Sequence, residues 1–140
     1  MKLPDFLEKK EKLFSPKTTR EEARTWGDRY REAQRIHDAV AFYLRAGYKE
    51  GLAVLRQEAV ESGDFQLFEE TLQPQQEDWT QELRSLARTA EEKGRWNDAK
   101  RAYAFLGDEL GLKRVKAALE GILGKEPPKE PGGQAQGEDL

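Results

Sequence analysis

The chain has 140 residues, a formal net charge of −3, equal 36% shares of charged and hydrophobic side chains, one histidine and no cysteine. That is one domain's worth of polypeptide, and it excludes disulfides and thiolate chemistry while leaving little scope for a zinc site or a histidine-based catalytic group. No run of eighteen apolar residues occurs, and Met1-Lys-Leu-Pro-Asp-Phe-Leu-Glu-Lys-Lys lacks the apolar core and cleavage site of a secretory signal, so the expectation is a cytoplasmic protein with no membrane role.

Pro4 and the following Asp-Phe-Leu-Glu-Lys-Lys-Glu-Lys-Leu-Phe predict a short first helix, with Leu3, Phe6, Leu7, Leu13 and Phe14 at near-helical spacing and Ser15-Pro16 as its stop. This arm, residues 1–17, is expected to dock on the domain's own first hairpin. Thr18 with Glu21, or Thr19 with Glu22, makes a capping box for a second helix carrying Ala23, Trp26, Gly27 and Tyr30 along one side. A third runs from about Ile36 to Ala46 and closes at Gly47. A fourth, from about Glu50 to Ser62, carries Leu52, Leu55, Ala59 and Val60 inward.

Asp64 caps a short helix through Phe65, Phe68 and Leu72, which Pro74 ends inside the polar run Gln73-Pro-Gln-Gln-Glu. Helices from about Trp79 to Lys93, Trp96 to Leu106 and Leu110 to Leu123 follow, divided by Gly94 and Gly107. Residues 125–140 hold only Ala135 and Leu140 as hydrophobic residues and are expected to be a disordered tail, leaving 18–124 as the folded domain. Charge is unevenly spread: residues 63–82 carry six acidic side chains and no basic one, which disfavours nucleic acid there.

Two stretches sixty residues apart read alike. Arg35 to Leu52 and Arg95 to Leu112 share seven of eighteen positions: Arg35/Arg95, Asp38/Asp98, Ala39/Ala99, Tyr43/Tyr103, Gly47/Gly107, Gly51/Gly111 and Leu52/Leu112. An internal period of this kind is the signature of a repeat architecture. Trp26, Gly27, Tyr30, Ala39 and Tyr43, and again Leu83, Leu86, Ala87, Ala90, Gly94, Trp96, Ala99 and Tyr103, fall in the large, small, aromatic and alanine order of a helix–turn–helix unit. In this the chain resembles the tetratricopeptide-repeat-like superfamily, whose units run to about 34 residues. The unit spacing departs from that period, being 29 and then 31 residues between Ala39, Phe68 and Ala99, and Arg56 and Phe68 stand where the family has small residues.

The resemblance covers about residues 20–107 and implies an all-α fold: a right-handed stack of antiparallel helix hairpins, about seven or eight helices in all, with the last helix as a cap. It also implies peptide binding along the first helix of each pair. Carried over by register, that groove takes Arg24, Asp28 and Arg31 from one unit, Gln57 from the middle one, and Arg84, Arg88 and Glu91 from the last. Paired guanidinium groups there suit a carboxylate or an acidic peptide. The asparagine and lysine pattern of the family's carboxylate clamps is absent.

Catalysis has no visible carrier. His37 and Asp38 are sequence neighbours on a helix's first turn and do not face each other, so His37 reads as a polar helix-start residue. Glu69, Glu70, Glu77, Asp78 and Glu82 lack the spacing of a calcium loop, and no phosphate-cradling glycine motif occurs. Trp26, Trp79 and Trp96 fall at packing positions. The function expected is non-catalytic recognition of a protein or peptide by an adaptor or assembly scaffold, with no cofactor, metal or nucleic acid, as a monomer or weak homo-oligomer. The alternative is a self-associating structural subunit of a larger complex.

Overall fold

A computed structural model describes residues 3–73 and 77–123, so the stop expected at Pro74 and the tail expected over 125–140 lie outside the described residues. Eight helices follow in order: α1 (Phe6–Phe14), α2 (Arg20–Glu32), α3 (Ile36–Ala46), α4 (Lys49–Ser62), α5 (Phe65–Thr71), α6 (Thr80–Glu92), α7 (Trp96–Leu106) and α8 (Glu109–Leu123). Among the described residues there is no strand. Local chemistry sets the starts. Asp5 and Glu8 form a reciprocal capping box on α1, which places Pro4 just before the helix. Thr19 and Glu22 form the box on α2, deciding between the two registers the sequence allows.

The connections between α2 and α3, α4 and α5, and α6 and α7 are two or three residues long, so each pair folds back on itself. Neighbouring pairs then pack together: α4 lies against α6, α3 against α5, α5 against α7, and α8 closes on α7. At the α4–α6 crossing a Cβ on Gly63 would stand 2.7 Å from the Ala90 Cα, and Gly63 has φ +73°, so only glycine satisfies both the turn and the approach. One continuous core results. Phe42 stacks on Tyr30 with ring centroids 5.3 Å apart, and Phe68 meets Trp79 edge-on at 6.2 Å. Phe42 and Phe68 are fully buried, each contributing about 2–3 kcal/mol of apolar transfer.

Tyr43 and Tyr103 wedge between helices where glycine makes room. A Cβ on Gly27 would stand 2.5 Å from the Tyr43 ring, and one on Gly51 would meet both the Tyr43 and Tyr48 rings. Gly111 stands equally close to Tyr103, while the place of Gly27 in the second segment is taken by the buried Ala87.

The two ends differ. At the first, α1 docks on the α2–α3 hairpin, as the sequence leads one to expect: Lys9 pairs with Asp38 at 2.9 Å and Lys12 lies over the Trp26 ring. The Arg45 guanidinium donates to the carbonyls of Leu13, Ser15 and Thr18, pinning the end of α1 and the turn after it. The opposite side of α1 leaves Phe6, Leu7 and Phe14 at 70%, 73% and 70% exposure. At the other end, α8 buries Val115 and half-buries Leu112 and Leu119. There the exposed Lys100 and Glu120 stand sixty residues after the buried Val40 and Val60.

Candidate functional site

The expected groove residues lie on α2, α4 and α6, but most already have partners. Asp28 accepts the hydroxyl hydrogen bond of Tyr43, whose phenol is pushed well above its ordinary range by burial and then by that carboxylate. Arg31 donates to Glu58 on α4 at 2.7 Å, and this hydrogen bond raises its pKa. Gln57 turns back to Glu61 within its own helix at 3.2 Å. Glu91 accepts two hydrogen bonds from Arg114 on α8 and one from Tyr103. The guanidinium contact, more than the phenol, holds the Glu91 carboxyl below its usual range.

Three arginines remain. The Arg24 guanidinium stacks over the Tyr48 ring with its carbon 4.0 Å from the centroid, which orders the group while leaving its N–H edge for a ligand. Arg84 and Arg88 are exposed one turn apart on α6, and among the described residues neither makes an ion pair or a side-chain hydrogen bond. Residues four apart share a helix face, so the two cations form a pair. Arg24 and Arg84 are sixty residues apart and occupy the same register.

The acidic block is largely committed internally. Asp64 caps α5, Glu69 pairs with Arg101 on α7, Glu70 takes His37, and Asp78 accepts from the backbone N–H and the hydroxyl of Thr80, where α6 begins. Among the described residues only Glu77 and Glu82 of the six lack a hydrogen bond or ion pair. His37 stands on the first turn of α3, as the sequence leads one to expect, and it also reaches across to α5. Its Nδ1 lies 2.6 Å from Glu70 Oε1, bridging α3 to α5, and the bond raises the imidazole pKa. The α3–α5 packing brings the two together across thirty-three residues of sequence, a separation that no local pattern reveals.

Trp79 separates two small cavities of about 310 and 180 Å³, both bordered by Gln73 and Glu77. The larger is floored by Leu72, Leu83, Phe105 and Leu106, and the smaller is bounded by Lys49, Leu52 and Arg56. Arg56 lies 4.3 Å from the Trp79 ring centroid and donates to both the hydroxyl and the carbonyl of Thr71; burial lowers its pKa. Its long side chain thus fills the place where the sequence pattern calls for a small residue. Among the described residues no cluster of three histidine, cysteine or carboxylate groups is set to hold a metal, and no helix is long and apolar enough to cross a membrane. Glu58 and Arg114, the partners of Arg31 and Glu91, are not singled out by the sequence. The position sixty residues before Arg114 is Val54, so the internal period gives no sign of it. Compared with known proteins, the chain matches no family model, no curated protein and no solved structure.

Proposed function

We propose that the chain is a non-catalytic protein-recognition module, an adaptor or assembly scaffold built as a right-handed stack of tetratricopeptide-like hairpins. It takes an acidic peptide or helix along the face formed by the first helix of each pair. The observation that carries this reading is the Arg84–Arg88 pair: two exposed cations on one helix face, unpaired among the described residues, in a protein whose other groove charges are mostly matched. Arg24, stacked on Tyr48 in the register of Arg84, supplies a third contact. Guanidinium groups recognise carboxylates bidentately, and desolvation by an apolar neighbour in the ligand strengthens the bond. Asp28, Arg31 and Glu91 serve this face by tying α2 and α6 to their neighbours, and Gln57 lies on the α4 part of it.

The test is fluorescence anisotropy with a labelled glutamate-rich peptide that also carries a leucine anchor, titrated with the wild-type chain and with Arg84→Glu/Arg88→Glu. Loss of at least tenfold in affinity on charge reversal, about 1.4 kcal/mol, with weakening as salt is raised, supports the reading. Equal affinity for both proteins, or none for either, removes the arginine face as the site.

A further inference from the structure

We infer that α1 is a dimerisation helix whose ligand is the α1 of a second copy, packed antiparallel about a two-fold axis at Lys10. The proposal uses a different surface from the arginine face and stands independently of it. Three large apolar side chains at 70% exposure or more on one nine-residue helix are not a docking remnant. The side of α1 that faces its own domain is held by Lys9, Lys12, Leu13 and the Arg45 latch, so Phe6, Leu7 and Phe14 are presented outward on a helix that is anchored at several points. Exposed apolar stripes of this kind mark interaction surfaces.

The sequence of α1 says what covers it. Phe6-Leu-Glu-Lys-Lys10-Glu-Lys-Leu-Phe14 reads the same in both directions in its apolar residues, Phe6 mirroring Phe14 and Leu7 mirroring Leu13. Its charges invert across the same centre, Glu8 mirroring Lys12 and Lys9 mirroring Glu11. An antiparallel pair centred on Lys10 therefore sets Phe6 and Leu7 of one copy level with Phe14 of the other, twice by symmetry. Its central lysines reach the Glu11 carboxylates of the opposite copy. Lys10 and Glu11 are both exposed and make no ion pair among the described residues. Such a self-complementary patch is what an isologous dimer requires. Residues 125–140 bring little apolar surface of their own, Ala135 and Leu140 being the only hydrophobic residues among them. One short helix per copy makes a small interface, so the dimer is weak and exchanges rapidly.

The full-length chain decides this by sedimentation velocity over a wide concentration series. The wild type shifts from monomer to dimer and no further, whereas Phe6→Ser/Phe14→Ser stays monomeric with unchanged circular dichroism and thermal midpoint. The absence of native cysteine allows a second reading. Lys10→Cys, at the two-fold axis, forms a disulfide-linked dimer on mild oxidation at least about tenfold faster than Glu8→Cys, which lies on the cavity shared with Trp26. A wild type that is monomeric at every concentration overturns the proposal, as do species larger than a dimer. So do equal cross-linking at the two positions, or recruitment of a solution monomer to anionic vesicles through the same phenylalanines.

Discussion

The segments α2–α4 and α6–α8 solve one packing problem with opposite charges. In both, a tyrosine from the middle helix is wedged against a glycine sixty residues from its counterpart, and in both its hydroxyl donates to a carboxylate. The carboxylate is not at the same place. Positions 28 and 31 are Asp and Arg, while 88 and 91 are Arg and Glu, so the acid has moved one turn along the helix and the base has moved the other way. The clamps to the third helix of each segment invert with it: Arg31 to Glu58 in the first, Glu91 to Arg114 in the second. Close packing is the fixed element of this fold, because a ring either fits against a Cα or does not. An ion pair works with either sign and is free to change. The inversion also leaves Arg88 where Asp28 was, without the Tyr43-type partner, and so creates the available cation on α6.

The comparison breaks most severely at the packing position that differs. Gly27→Ala drives a methyl group into a Tyr43 ring already confined by Gly51, and a loss of about 2–3 kcal/mol is expected by urea unfolding, despite the better helix propensity of alanine. Ala87→Gly, the reverse change in the second segment, loses only about 1 kcal/mol of propensity plus a small contact. Equal costs at the two sites would show that the glycine at 27 is incidental.

A smaller effect, of opposite sign, is expected at the turn. Gln34 has φ +64°, where the α6–α7 turn has Gly94 at φ +74°. Gln34→Gly therefore stabilises by about 0.5–1 kcal/mol, read as a raised thermal midpoint. A lowered midpoint would mean that the glutamine side chain contributes more than its backbone strain costs.

The smallest effects are in the pH dependence, where the links titrate in opposite windows. His37, raised by Glu70, contributes stability below the ordinary imidazole value of about 6.5 and loses it as pH rises through the folded value. Glu91, lowered chiefly by Arg114, contributes above the ordinary carboxylate value of about 4.3 and loses it as pH falls through its lower folded value. His37→Asn, the residue that α7 carries at 97, flattens the neutral-to-alkaline limb by about 0.5 kcal/mol or less, since the pair is solvent-screened. The acid limb is unchanged in that variant and is reduced in Glu91→Gln, with the remainder carried by Glu22 and Asp78, whose carboxyls are also held below their usual range by hydrogen bonds from Thr19 and Thr80. A neutral limb that survives His37→Asn assigns it to another group.

All eight helices were legible from periodicity, caps and glycine punctuation, and their ends fall within about two residues of the pattern because the same Thr19, Asp64, Gly47 and Gly107 that mark the sequence set the backbone. The candidate site was legible only as far as the internal period reaches. Register gave Arg24 and Arg84 equivalent places in the two segments, but the charge inversion means that register does not say which groove residues are already paired. Glu58, Arg114 and Glu70 lie twenty-three to thirty-three residues from the side chains they hold, and only the packed fold brings them in. Likewise Arg56 and Phe68, read as departures from a small-residue pattern, are where an arginine and an aromatic ring fill the space around Trp79.

Lys100 and Glu120, exposed where Val40 and Val60 are buried, make the two ends of the molecule chemically unequal. A stack that repeated the apolar Val40 and Val60 positions at its far end would offer a further copy the same surface there, and the lysine and glutamate replace that surface with charge. The pair proposed through α1 is closed by its own two-fold axis, so on that proposal raising the concentration fills pairs and does not lengthen a fibre.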